Sequence, residues 1–228
     1  MIIKVCGMRD EDNIRALEKL DTVYFVQSTS IDWLGFIFYQ GSPRYVPDED
    51  KWTNAIQSCT KVKVGVFVNE QQEEILRKVK KYGLDYAQLH GNETPDFCRH
   101  LRDAGCAVIK AFSVSSDNKG INPLVMLQQT TVYEPFVEYF LFDTKSDKYG
   151  GSGKRFDWSV LEAYRGNVPF LLSGGIGLEH VDDIRAFAHP MMAGIDLNSR
   201  FELSPAIKNI ETIERFVSHL IGRDATRH

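Results

Sequence analysis

KVGVFVNEQQEEILRKVKKYGLDYAQL, residues 63–89, holds the repeating unit of this chain. It opens on KVGVFV (63–68), a nearly continuous apolar run, and closes on a second, YAQL (86–89). Between them EQQEEILRKVKKYG (70–83) sets Ile75, Leu76, Val79 and Tyr82 on one face at helical spacing, with charge around the rest. Strands that are apolar throughout, not alternating, are those buried on both faces of a parallel sheet. Strand, helix and strand in this order read as a right-handed βαβ crossover.

The same alternation runs outward in both directions. Upstream, IIKVC (2–6) is followed by an amphipathic stretch near 11–20, and LGFIF (34–38) by one near 48–58. Downstream, YAQL leads to a helix near 94–104, AVIKAF (107–112) to a weak one near 122–130, and YFLFDT (139–144) to DWSVLEAYR (157–165). PFLLS (169–173) precedes LEHVDDIRAFA (178–188), and AGIDL (193–197) precedes a last helix near 206–220. Eight units without a domain break predict a single α/β domain over residues 1–228. The expected fold is an eight-stranded parallel (βα)8 barrel, a TIM barrel, in preference to an open doubly wound sheet; such barrels start at about 200 residues. DTVYFVQSTSID (21–32) is longer than an ordinary αβ loop and is read as an insertion on the N-terminal face, away from chemistry.

Composition narrows the functions. The chain is 43% hydrophobic, enough for one core of this size, and its net charge of -4 argues against nucleic acid or an anionic membrane as partner. No segment approaches the roughly 20 apolar residues of a membrane span. The start, MIIKVCGMRD, has too short an apolar run for a signal peptide. Cys6, Cys59, Cys98 and Cys106 form no C-x-x-C pair and no zinc-like spacing with histidine. A reduced, cytoplasmic protein without a metal or cofactor is expected.

In such a barrel the active site lies at the C-terminal ends of the strands. Polar residues there are Cys6, Arg44, Asn69, His90, Asp143, two Gly-rich stretches and the residues after strand eight. Cys6 ends strand one beside Gly7, and nearby cations would make its thiolate a base. The alternative is a small buried apolar residue. Asp143 follows three apolar residues, so it is costly there unless paired, with Lys145 or Lys154 as partners, or used. YGGSGKRFDW (149–158) contributes Gly151, Ser152 and Gly153, and LLSGGIG (171–177) contributes Gly174 and Gly175. Together they suit the phosphate site that barrels build after their last strands. Arg44 is either a solvated loop charge or a fork for a carboxylate.

In order, KVCGMR (4–9), GFIFYQGSPRYV (35–46), VGVFVNE (64–70), QLHGNE (88–93), FDTKSDKYGGSGKRFDW (142–158), LSGGI (172–176) and GIDLNSRFE (194–202) resemble the phosphoribosylanthranilate isomerases over nearly the whole chain. That resemblance implies an Amadori rearrangement of an aminoaldose phosphate in tryptophan biosynthesis. It also implies Cys6 as general base, Asp143 as general acid and Arg44 as ligand of the anthranilate carboxylate. Phosphate would be held by Gly151, Ser152, Gly153, Gly174, Gly175 and the turn after strand eight, Asn198, Ser199 and Arg200, where Arg200 either binds phosphate or stays at the surface, pairing with Glu202; His90 either touches substrate or only packs. The partner is then a small phosphosugar, and the protein a monomer or homodimer. This chain departs from the family in Asn198-Ser199-Arg200, where the family often has Ser-Ser-Gly, and in Gln40-Gly41, where it often has Pro-Lys. Three rivals are a histidine-pathway aminoaldose isomerase, expected to use two aspartates, indole-glycerol-phosphate synthase, expected to use a lysine and a glutamate, and a non-catalytic barrel that binds a phosphometabolite.

Overall fold

The computed structural model describes residues 1–23, 31–114, 123–144 and 157–222. Eight strands, β1 (Ile2–Cys6), β2 (Trp33–Ile37), β3 (Val62–Phe67), β4 (Tyr86–Leu89), β5 (Ala107–Val114), β6 (Tyr139–Thr144), β7 (Phe170–Leu172) and β8 (Met192–Leu197), close into a barrel in sequence order. Every neighbouring pair is parallel, and β1 closes the ring on β8 with Lys4 opposite Asp196. The expected strands are each present within a residue or two.

The helices lie outside: α1 (Glu11–Val23), α2 (Asp50–Gln57), α3 (Gln72–Tyr82), α4 (Pro95–Asp103), α5 (Pro123–Gln129), α6 (Val181–Ala186) and α7 (Ile210–Leu220). Local chemistry sets their ends. Thr94 caps α4 by accepting from Phe97 N, with Pro95 in the first turn, and Asn209 caps α7 by accepting from Thr212 N. Gly83 ends α3 at φ 62°, a left-handed turn that glycine adopts without penalty. Among the described residues, no helix is long and apolar enough to cross a membrane.

Three expectations are corrected. DWSVLEAYR forms a 3-10 helix, Trp158–Ala163, and LEHVDDIRAFA splits into a 3-10 turn, Leu178–His180, and the short α6. The last helix begins at Ile210, because the residues before it form a hairpin of β9 (Glu202–Ser204) and β10 (Ile207–Lys208). In the 21–32 region α1 runs on to Val23, and residues 24–30 lie outside the described residues.

The barrel interior is layered, and the layering positions the site. At the N-terminal mouth Trp33 stacks on Tyr86 with centroids 4.9 Å apart and meets Tyr139 edge-on at 5.1 Å. Val64, Ile109, Ala111, Leu141 and Leu171 complete this dry plug. Higher up, the inward positions turn polar, with Lys4, Gln88 and Asp196 all buried. The apolar floor excludes water from below, so polar groups above it face one opening.

Candidate active site

That opening is a cavity of about 110 Å³ at the C-terminal ends of the strands, lined by Cys6, His90, Asp143, Gly174, Asp196 and Asn198 among others. Cys6 is 3% exposed. Gly35 makes room for it, and Gly7 for Arg44 and Asn198 beside it. A Cβ on Gly35 would stand 2.8 Å from the Cys6 Sγ and 3.1 Å from its Cα. Gly7 turns the chain at φ +81°, and a Cβ there would meet the Arg44 Cδ at 2.6 Å and the Asn198 Oδ1 at 2.9 Å. Lys4, two residues before Cys6 on the same face of β1, donates from Nζ to the Asp196 Oδ1 at 2.9 Å. Burial pushes the Cys6 thiol up; Lys4 and Lys208 pull it down, and Asp196 adds to the rise. The cations that the sequence reading asks for are present, but burial outweighs them. Cys59, Cys98 and Cys106 are likewise buried free thiols.

Asp143 reaches the same cavity from β6, three steps round the ring from β1 by way of β8 and β7. Its Oδ1 accepts from Thr144 N at 2.8 Å, and its Oδ2 lies 3.4 Å from the His90 Nε2. The His90 Nδ1 lies 3.4 Å from the Gln88 Nε2. The alternative partners Lys145 and Lys154 fall outside the described residues.

Arg44 is buried, and its Nε and Nη2 donate to the two carboxylate oxygens of Glu202 at 2.8 and 2.6 Å. Glu202 Oε1 also accepts from the Lys208 Nζ at 2.8 Å, and Lys208 donates to the Asn198 Oδ1 at 2.9 Å. Arg44 is thus not a solvated loop charge. Its Nε/Nη2 edge is taken by a carboxylate of the chain itself, while Ser42 and Asn198 beside it line the cavity.

Of the phosphate candidates, Gly174 and Gly175 line the cavity with φ +90° and +68°. A Cβ on Gly174 would sit 2.2 Å from the Thr144 Oγ1, so only glycine lets this loop lie on the end of β6. Asn198 and Ser199 line it too. Arg200 reaches over Gly177 and pairs with Glu179. Gly151, Ser152 and Gly153 lie outside the described residues.

The structure adds Lys4, Gln88, Asp196, Glu202 and Lys208. Asp196 carries a signal close to the one that marked Asp143, a carboxylate within an apolar run, and Lys4 shares the face of Cys6 two residues on. Lys208 and Glu202 lie in a hairpin with no periodic signal.

The model of the N-(5′-phosphoribosyl)anthranilate (PRA) isomerase family matches residues 6–219. An N-(5′-phosphoribosyl)anthranilate isomerase of Parabacteroides distasonis is 47% identical over 224 residues, spanning 97% of this chain and 94% of that protein. The crystal structure of the phosphoribosyl anthranilate isomerase from Thermus thermophilus superposes with a TM-score of 0.77 at 25% identity, covering 98% of this chain and all of the other. A phosphoribosyl anthranilate isomerase in complex with reduced 1-(o-carboxyphenylamino)-1-deoxyribulose 5-phosphate superposes at 0.72 with 26% identity, covering 97% of this chain and all of the other.

Proposed function

The chain belongs to the N-(5′-phosphoribosyl)anthranilate isomerase family, and on that premise we propose that Cys6 and Asp143 divide the proton transfers of this isomerisation of tryptophan biosynthesis. Asp143, protonated, gives its proton to the furanose ring oxygen. The C1′–O4′ bond breaks as the anilino nitrogen supplies its lone pair, leaving an open-chain iminium. The Cys6 thiolate then removes the C2′ proton, and that electron pair forms the enolamine C1′=C2′ double bond and neutralises the nitrogen. Ketonisation moves the O2′ proton to solvent and a proton to C1′. Exchange with solvent returns the thiol and carboxylate to their starting forms.

The observation that carries this reading is that a thiol and a carboxyl line one cavity from strands nearly opposite in the ring. Acid and base can then address different atoms of the same sugar. Lys4 and Lys208 favour the thiolate, and the iminium charge adds to them just when the base is needed. Glu202 and Lys208 hold Arg44 in place, so the Nη1/Nη2 edge of its guanidinium remains for the anthranilate carboxylate. Phosphate is held by Gly174, Gly175, Asn198 and Ser199, which line the cavity. The test is Cys6→Ala: its circular dichroism stays native while kcat falls at least about 10³-fold, within the range of general-base catalysis. A folded Cys6→Ala protein with near-normal kcat would overturn the assignment.

A further inference from the structure

We propose that Gln88 and His90 form a positioning pair for Asp143, in which Gln88 fixes the imidazole as the tautomer that carries its proton on Nε2, the atom facing the carboxyl. The proposal rests on Asp143 being the acid. Gln88 lies on β4 and His90 directly follows the strand's last residue, and both side chains line the cavity. One unbroken line of groups runs from Gln88 Nε2 to His90 Nδ1 at 3.4 Å and from His90 Nε2 to Asp143 Oδ2 at 3.4 Å. All three residues line the cavity.

Gln88 is 1% exposed, and its register partners on either side are Val66 and Ile109. Its Oε1 is buried with no hydrogen-bond partner among the described residues. Packing alone favours an apolar residue at such a place, since a buried amide is costly unless its groups are used. What the amide uses is its N–H, on His90. A neutral imidazole has one N–H and one bare nitrogen. With Gln88 donating to Nδ1, the bare nitrogen is Nδ1 and the proton sits on Nε2.

This matters to the acid. Nε2–H faces Oδ2 of Asp143 at 3.4 Å, which favours the transferable proton on Oδ1. Thr144 N donates to Oδ1 at 2.8 Å, and the imidazole beside Oδ2 orients the carboxyl from its other side. The other tautomer would present a bare Nε2, and the acid proton would turn towards His90 and away from the sugar. His90 is therefore a positioning residue for Asp143, and Gln88 a positioning residue for His90.

The experiment is two-bond ¹H–¹⁵N correlation of the imidazoles in labelled protein, with His90 assigned by its loss in His90→Asn. In the unmutated protein at neutral pH, His90 is expected as the Nε2–H tautomer. Gln88→Met, close in size, should populate the Nδ1–H form and lower kcat about tenfold, part of the 10²- to 10⁴-fold that a general acid supplies, with KM little changed. An Nδ1–H tautomer in the unmutated protein overturns the proposal, and this holds even if Gln88→Met does not fold. A folded Gln88→Met protein with the original tautomer overturns it too, whether or not its Tm has dropped. Asp143→Asn is measured alongside. If that variant keeps its kcat, the acid assignment fails, while the tautomer of His90 stands or falls on its own spectrum.

Discussion

Gly35→Ala adds one methyl group directly against the proposed base. The new Cβ would lie 2.8 Å from the Cys6 Sγ and 3.1 Å from its Cα. Non-bonded heavy atoms rest at about 3.5–4.0 Å, so the thiol contact is short by about 0.7–1.2 Å. The Cys6 backbone is held in the sheet opposite Gly35. The thiol and the end of β1 must therefore give way. A misplacement of about 1 Å at a reacting group costs on the order of 10²-fold in rate, or about 2.7 kcal/mol of barrier. Overpacking costs about 1–3 kcal/mol of stability, a fall in Tm of about 2–12 °C for a chain of this size. Gly65→Ala is the control. Its Cβ would meet the Leu84 Cδ1 at 2.5 Å and the Phe67 Cε2 at 2.9 Å, on the side of β3 that faces the helices. It should lower Tm comparably and leave kcat intact. Steady-state kinetics and thermal melts on both variants make the comparison. A folded Gly35→Ala protein with kcat within about threefold of the original would refute the reasoning, since a shift of the base on the order of 1 Å predicts far more.

Lys4→Met strands Asp196 as a buried carboxylate without its cation, at a cost of about 3–5 kcal/mol less whatever protonation of Asp196 recovers. Lys4→Met/Asp196→Val should regain most of that stability yet still react with iodoacetamide at Cys6 more slowly than the parent, because Lys4 pulls harder on the thiol than Asp196 pushes; equal rates would remove Lys4 from the base's ionisation. Burial raises all four thiols, Cys59 and Cys106 to about 11 and Cys98 to about 12, from an ordinary value of 9.0. The unfolded chain then releases protons that the native state keeps, so stability should fall as pH rises above 9, by at most about 1.4 kcal/mol per pH unit for each thiol. Urea melts across that range check it, and a flat profile would contradict it. Arg200→Ala removes a charged donor that lies over Gly177 and pairs with Glu179; a phosphate role predicts a KM raised about 10- to 150-fold with kcat unchanged, whereas a role confined to the Glu179 ion pair leaves KM alone.

The sequence by itself determined the barrel and marked Cys6 and Asp143 at the ends of its strands. Apolar runs, helical faces and the residues that punctuate them are local signals, read over a few positions. Eight such units have one compact closed solution, and closure places Cys6 and Asp143 at its rim. Local signals failed where structure is short and irregular. The 3-10 segments at Trp158–Ala163 and Leu178–His180 and the β9–β10 hairpin are too brief to show a period. What only the tertiary structure decided is which charges meet. Lys4 finds Asp196 across 192 positions and Arg44 finds Glu202 across 158, because β1 is zipped to β8 when the ring closes. In the dry interior so formed, each buried charge has to be matched. That requirement turned Arg44 towards Glu202 and put Lys4 under Cys6. His90 came to face Asp143 for the same reason of closure: β4 and β6 are separated by β5, and only the curvature of the barrel brings their ends to one cavity.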